Sequence, residues 1–161
     1  MGYQTNFSGE FRLNKPLDEK TFTFLTKLSE TRRVKRNVHS KYGVDGEFYV
    51  DGEIEPSLAK NQDPSIIDDS SPPRTQPSVW CDWAPVHRNE YDAIEWNGAE
   101  KFYDYVEWIE YIANKILAPK GYLLTGDVEW RGEDWEDTGT ISITDNIVEV
   151  HTHCRMCGGP T

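Results

Sequence analysis

The chain has 161 residues, 37% apolar and 28% charged, which suits one globular domain with a real core and is short for two. A formal net charge of −11 disfavours direct binding to DNA, RNA or an anionic membrane, whose phosphates would repel it, and leaves room for a basic partner or for mimicry of nucleic acid. No apolar run is long enough to span a bilayer, the opening MGYQTNFSGE is polar rather than signal-like, and three cysteines argue against a disulfide framework, so a cytoplasmic location is expected.

Tyr3, Thr5, Phe7, Gly9, Phe11 and Leu13 alternate with Gln4, Asn6, Ser8, Glu10 and Arg12, the period-two signature of a half-buried strand that Pro16 closes. Asp18 has the character of an N-cap, with Leu17 and Phe22 placed as a hydrophobic staple. The helix that follows is expected to run to about Asn37, with Phe22, Leu25, Leu28 and Val34 facing inward. Its basic end (Arg32, Arg33, Lys35, Arg36) either complements the helix dipole or contacts an anion such as phosphate. Phe48 and Val50 suggest a short strand. Residues 51–78, with Pro56, Pro64, Pro72, Pro73 and Pro77, predict a long irregular loop pinned by Ile66 and Ile67.

Residues 79–86 read as a strand, with Trp80 and Asp82 on one face and Cys81 and Trp83 on the other. It is expected to pair with residues 93–96 across a turn at 87–90. After the Asn97 and Gly98 turn comes the strongest amphipathic pattern of the chain: Phe102, Tyr105, Val106, Ile109, Ile112, Ala113, Ile116 and Leu117 recur at spacings of three and four, so a helix over residues 100–118 presents one apolar stripe. Glu100, Asp104, Glu107 and Glu110 fall on its wet side, Tyr103, Trp108 and Tyr111 at its edges, and Pro119 and Gly121 end it. Residues 122–130 predict a strand, 132–139 an acidic loop, and 140–144 with 147–150 a hairpin across Asp145 and Asn146. This order predicts an α+β fold, a single mostly antiparallel sheet with two amphipathic helices packed on one face. It forms one domain over residues 1–150, followed by a His/Cys tail at 151–161.

The blocks MGYQTNFSGEFRLNKPL, TRRVKRN, QPSVWCDW, EWNGAEKFYDYVEWIEYI and GDVEWRGED, in that order, resemble a family of short uncharacterised proteins of bacterial and phage genomes. The resemblance covers residues 1–150 and implies a compact stand-alone domain; it carries no activity, substrate or catalytic residue. The tail HTHCRMCGGPT departs from the family's pattern.

Two constellations could carry chemistry. In the tail, His151 and His153 stand two apart, and Cys154 and Cys157 form C-x-x-C before Gly158 and Gly159, the turn shape of a zinc knuckle. Tetrahedral sites usually draw ligand pairs from separate segments, and only Cys81 and His87 remain elsewhere, so a zinc site and a metal-free terminus are both open. The second constellation is aromatic and acidic: Trp80, Trp83, Glu95, Trp96, Tyr103, Trp130 and Trp135, with Glu129, Glu133 and Asp134. Such rings can stack a base, and Arg32, Arg33 and Arg36 could then hold its phosphates; the alternative is that the rings are core and the acids solvated. No phosphate-binding glycine loop and no nucleophile elbow is present.

Three readings follow. The first is a non-enzymatic binding protein that captures a nucleotide-like small molecule, in a phage setting as a counter-defence factor. The second is an acidic, nucleic-acid-mimicking inhibitor of a host protein. The third is a small hydrolase using Glu95 and Glu129. A homo-oligomer is compatible with each.

Overall fold

The computed structural model describes residues 3–50, 66–68, 70–154 and 159–160, with residues 153, 154, 159 and 160 described by backbone alone. The α+β class is what the chain adopts. Its contacts divide it into two compact units, Met1–Asp18 with Asp82–Thr161, and Glu19–Cys81.

The first unit is built on β1 (Thr5–Leu13), β4 (Trp83–His87), β5 (Asp92–Trp96), β6 (Leu124–Gly132), β7 (Thr138–Thr144), β8 (Ile147–Cys154) and the two-residue β9 (Gly159–Pro160). They form one antiparallel sheet in the order β4-β5-β1-β6-β7-β8-β9. The expected pairing of the strand around Trp83 with the strand around Ile94 is present, with Trp83 opposite Trp96 and Pro85 opposite Ile94. The β7–β8 hairpin turns on Asp145 and Asn146, both left-handed (φ 47 and 70), as the tightest two-residue turns require.

One face of this sheet carries the core. Phe7 sits at the centre of a ring cluster, 5.3 Å from Trp83, 5.3 Å from Trp96, 5.7 Å from Phe102 and 5.0 Å from Tyr105, the contacts edge-on or tilted. Such pairs contribute roughly 0.5–1.5 kcal/mol each beyond the area they bury. Trp130 lies across Gly139, its cross-strand partner: a Cβ there would come within 2.2 Å of the indole. A side chain on this strand position would therefore lift Trp130 off the sheet.

The helical segment covers this face but departs from the expected span. The α-helix α2 is Tyr105–Tyr111; it widens into a π turn at Ile112–Leu117 and tightens into a 3-10 turn at Ala118–Lys120, ended by Gly121 at φ 81. The expected first turn is absent because Lys101 and Asp104 adopt left-handed backbone (φ 61 and 56), a conformation that no helix can propagate. Phe102 is buried all the same, as an irregular plug against Trp83 at 5.3 Å. Trp108 and Tyr111, expected at the stripe's edges, are buried with Ile109, Ile112, Ala113, Ile116 and Leu117. The Trp83 indole N–H donates to the Tyr105 carbonyl (2.9 Å), so the sheet holds the start of the helix by a directed bond as well as by packing.

The second unit contains α1 (Glu19–Glu30) and a small antiparallel pair, β2 (Lys35–Arg36) with β3 (Ile66–Asp68). Leu25 and Leu28 face inward as expected. α1 stops at Glu30 rather than near Asn37, and Lys35 and Arg36, expected to be helical, form β2 instead, with Val34 buried as expected. No strand forms around Phe48: it lies in a turn that follows the 3-10 turn at Val44–Gly46, whose Val44 N–H donates to the Glu47 carboxylate (3.1 Å). The expected loop 51–78 contains β3; residues 51–65 and 69 lie outside the described residues.

Candidate functional site

The sheet face opposite α2 is polar by strict alternation. The strand register sets its side chains in rows: Ser8, Glu129, Thr140 and His151 form one, and Glu10, Asp127, Ser142 and Glu149 the next. Asp127, Glu129 and Glu149 are exposed, and among the described residues none of the three is in a salt bridge. β6 continues into a loop carrying Glu133, Asp134, Glu136 and Asp137, with Trp135 51% exposed at its tip. Asp137 organises this loop: one oxygen accepts the Trp130 indole N–H (2.9 Å) and the other the Tyr3 hydroxyl (2.8 Å). Two adjacent rows thus carry three carboxylates outside any salt bridge, and β6 leads from them into an acidic loop with an exposed tryptophan.

Toward β5 the same face is neutralised. Arg88 bridges Glu10 (3.0 Å) and Glu95 (2.5 Å), Tyr91 donates its hydroxyl to Glu10, and the Arg12 guanidinium stacks on the Tyr91 ring at 3.8 Å. The Tyr91 hydroxyl, helped by Arg88, holds the Glu10 carboxyl below its usual range, and the hydrogen bond to Glu10, with burial, pushes the Tyr91 phenol up. Sequence reading missed Glu10, Arg88, Tyr91, Asp127 and Glu149. The alternation of β1 placed Glu10 outward, but only the register shows which charges share a row.

The candidate aromatics divide. Trp83 and Trp130 are 1% and 5% exposed, edge-on or tilted within the core, and offer no free face to a base. Trp96 is half-buried and donates its indole N–H to the Ala99 carbonyl (3.1 Å). Tyr103 is 48% exposed, its hydroxyl accepting the Tyr3 N–H (2.9 Å). Trp80, 42% exposed, belongs to the second unit with Arg32, Arg33 and Arg36. Arg33 is 2% exposed, and its guanidinium donates to the carbonyls of Gly46 (3.3 Å) and Glu47 (2.9 Å) and to the Gln76 amide oxygen (3.2 Å). Arg36 stacks on the Tyr49 ring at 4.2 Å, and Arg32 is half-buried. Glu95 and Glu129 do not form a buried facing pair, since Glu95 pairs with Arg88 and Glu129 is exposed.

In the tail, His151 is exposed in the row with Thr140. The backbones of His153 and Cys154 pair with Pro160 and Gly159, closing a hairpin. Cys157 lies outside the described residues, and among those described no cluster of His, Cys, Asp and Glu could hold a metal. Cys81 is buried, and His87 pairs through Nδ1 with the buried Asp92 (2.7 Å), whose other oxygen accepts the Leu17 N–H (2.8 Å).

Two open depressions lie on the first unit. One, of about 430 Å³, runs along β1, β6 and β7 between Asn6, Ser8, Glu129, Arg131 and Thr138. The other, of about 450 Å³, lies between the start of α2 and β8 and is lined by Asp104, Tyr105, Val106, Glu107, Trp130, Val150 and Thr152. No described helix is long and apolar enough to cross a membrane. Comparison of the chain with protein families, curated proteins and solved structures finds no match in any of the three.

Proposed function

We propose that the protein is a non-enzymatic binding protein whose exposed acidic sheet face holds a basic segment of another protein. The observation that carries this reading is the patch of Asp127, Glu129 and Glu149, spread over two adjacent rows, with the acidic 132–139 loop following Glu129 on the same strand. Three unpaired carboxylates on a rigid sheet gain more from an incoming cation than mobile ones do, because their geometry is already fixed. Trp135 supplies the kind of exposed aromatic that anchors protein interfaces. This reading is favoured over capture of a nucleotide-like ligand because Trp83 and Trp130, two of the tryptophans expected to stack the base, are in the core, and Arg33, expected to hold its phosphates, is buried on carbonyls. If the resemblance to bacterial and phage proteins holds, the partner is a host protein whose nucleic-acid-binding surface the acids imitate, the counter-defence role in a different form.

Selection from a displayed random-peptide library tests it without choosing the partner in advance. Enriched sequences are expected to be rich in Lys and Arg, to bind about tenfold more weakly at 300 mM than at 50 mM salt, and to be lost with the Asp127→Lys, Glu129→Lys double variant. Enrichment of neutral or acidic peptides, or indifference to the double variant, would sink the reading.

A further inference from the structure

Beside the acidic rows the same sheet face carries one more row, and its charge is opposite. The register sets Asn6, Arg131 and Thr138 side by side, next to the row of Ser8 and Glu129. Arg131 is exposed, and among the described residues it is in no salt bridge, not even with Glu129 two positions before it. Thr138 is 8% exposed, and among the described residues its hydroxyl has no hydrogen-bond partner. It lines the depression of about 430 Å³ together with Asn6, Ser8, Glu129 and Arg131.

The two ends of this depression therefore differ. A guanidinium, an amide and a recessed hydroxyl stand at one end; Glu129 stands at the other, with Asp127 and Glu149 one row further on. The Asn6 amide oxygen accepts from Gln4 Nε2 (3.4 Å), so its NH2 group is the end left to donate. Two acids of the adjoining loop are turned to other donors: Glu133 accepts the Gln4 N–H, and Asp137 holds Trp130 and Tyr3. Three donors in one row suit a carboxylate, which takes a guanidinium in two parallel bonds. This row is also the last that β6 and β7 share before their loop, since β6 ends at Gly132 and β7 begins at Thr138. A chain that stops there needs no path beyond, whereas an internal segment has to continue over the loop. An extended chain advances about 7 Å in two residues, the separation of neighbouring rows, so alternate side chains before its end fall on successive rows.

We propose that the acidic face recognises the free C-terminus of a basic chain. The terminal carboxylate sits on Arg131, Asn6 and Thr138, and Lys or Arg side chains at alternate positions before it meet Glu129, then Asp127 and Glu149. This rests on the proposed function, and gives that basic segment an end and a direction.

The probe is acetyl-Lys-Ser-Lys-Ser with a free carboxyl terminus, compared by calorimetry with its C-terminal amide. The amide carries one more positive charge, so attraction to a chain of net charge −11 favours the amide; preference for the free acid requires a local anion contact. The free acid is expected to bind about tenfold more tightly. Arg131→Gln is expected to erase that preference, and Thr138→Val to narrow it. Equal or tighter binding of the amide overturns the proposal; if both peptides are then lost with the Asp127→Lys, Glu129→Lys double variant, the acidic-face reading stands without it. A preference that survives Arg131→Gln overturns it as well. So does equal binding of acetyl-Lys-Ser-Lys-Glu-Ser-Ser amide, whose carboxylate is on an internal side chain. A preference that Arg131→Gln removes and the double variant leaves intact keeps Arg131 as a carboxylate site and overturns the acidic-face reading. Binding of neither peptide overturns the proposal, and the library selection then judges the acidic face separately.

Discussion

The two units bury charge in opposite ways. In the second unit Arg33 is sealed from water, yet its guanidinium is met by two carbonyls and an amide oxygen, and Gln76 in turn donates to the Glu47 carbonyl (2.6 Å). In the sheet unit Asp82 is 4% exposed with the Asn97 side chain as its hydrogen-bond donor, and burial pushes its carboxyl up to about 6. The arginine serves as a hub where regular structure is sparse, while the aspartate is tolerated by a unit whose cohesion comes from rings and ladders. A fold with a generous aromatic core can carry an awkward charge; one built from a single helix, turns and a short strand pair must satisfy its charge fully.

The sharpest way to break that contrast is to remove a ring. Trp83→Ala deletes an indole that meets the rings of Phe7, Phe11 and Phe102, and with it the bond to Tyr105, and should cost about 3–5 kcal/mol in urea unfolding. A cost near 1 kcal/mol would mean that the ring cluster is not what holds the sheet unit. Next is Arg33→Met, which leaves buried acceptors at Gly46, Glu47 and Gln76 and should cost about 2–3 kcal/mol. Hydrogen exchange should accelerate around Gly46 and Gln76 but not in β6 and β7; uniform acceleration would erase the distinction between the units.

The smallest effect depends on pH. A carboxyl raised in the folded state binds its proton more tightly there than when unfolded, so folding is least penalised when Asp82 is protonated. Stability should therefore fall as pH rises from about 4 to about 6, by on the order of 2 kcal/mol. Asp82→Asn should flatten that slope in denaturation curves taken across the interval; a slope that survives the substitution belongs to other groups.

β1, β5, β6, β7 and β8 were legible because a period-two pattern survives on a one-sided sheet, and the Asp145 and Asn146 turn announced its hairpin; the strand expected from residue 79 begins only at Trp83, and the one expected around Phe48 is a turn. The helix was legible as an apolar stripe, but not its late start, because left-handed Lys101 and Asp104 leave no mark in hydrophobic periodicity. The fate of the aromatics was hidden for a different reason. A tryptophan in a core and one in a binding site look alike in sequence, and only the geometry of Phe7 among its four neighbours separates them. Arg33 was read with its basic neighbours as part of one anion site, since adjacent letters do not reveal that one side chain turns inward. The acidic row depended on register, which pairs residues more than a hundred positions apart, such as Ser8 with Glu129.

Pro85, in the middle of the outermost strand β4, has a consequence for stoichiometry. A sheet that accepts strands at both edges can polymerise end to end, each added copy presenting a fresh template. Proline gives β4 a position with no N–H to offer, so that edge is a poor template. Growth of a ladder of copies from the β4 side therefore meets a missing rung at its first step.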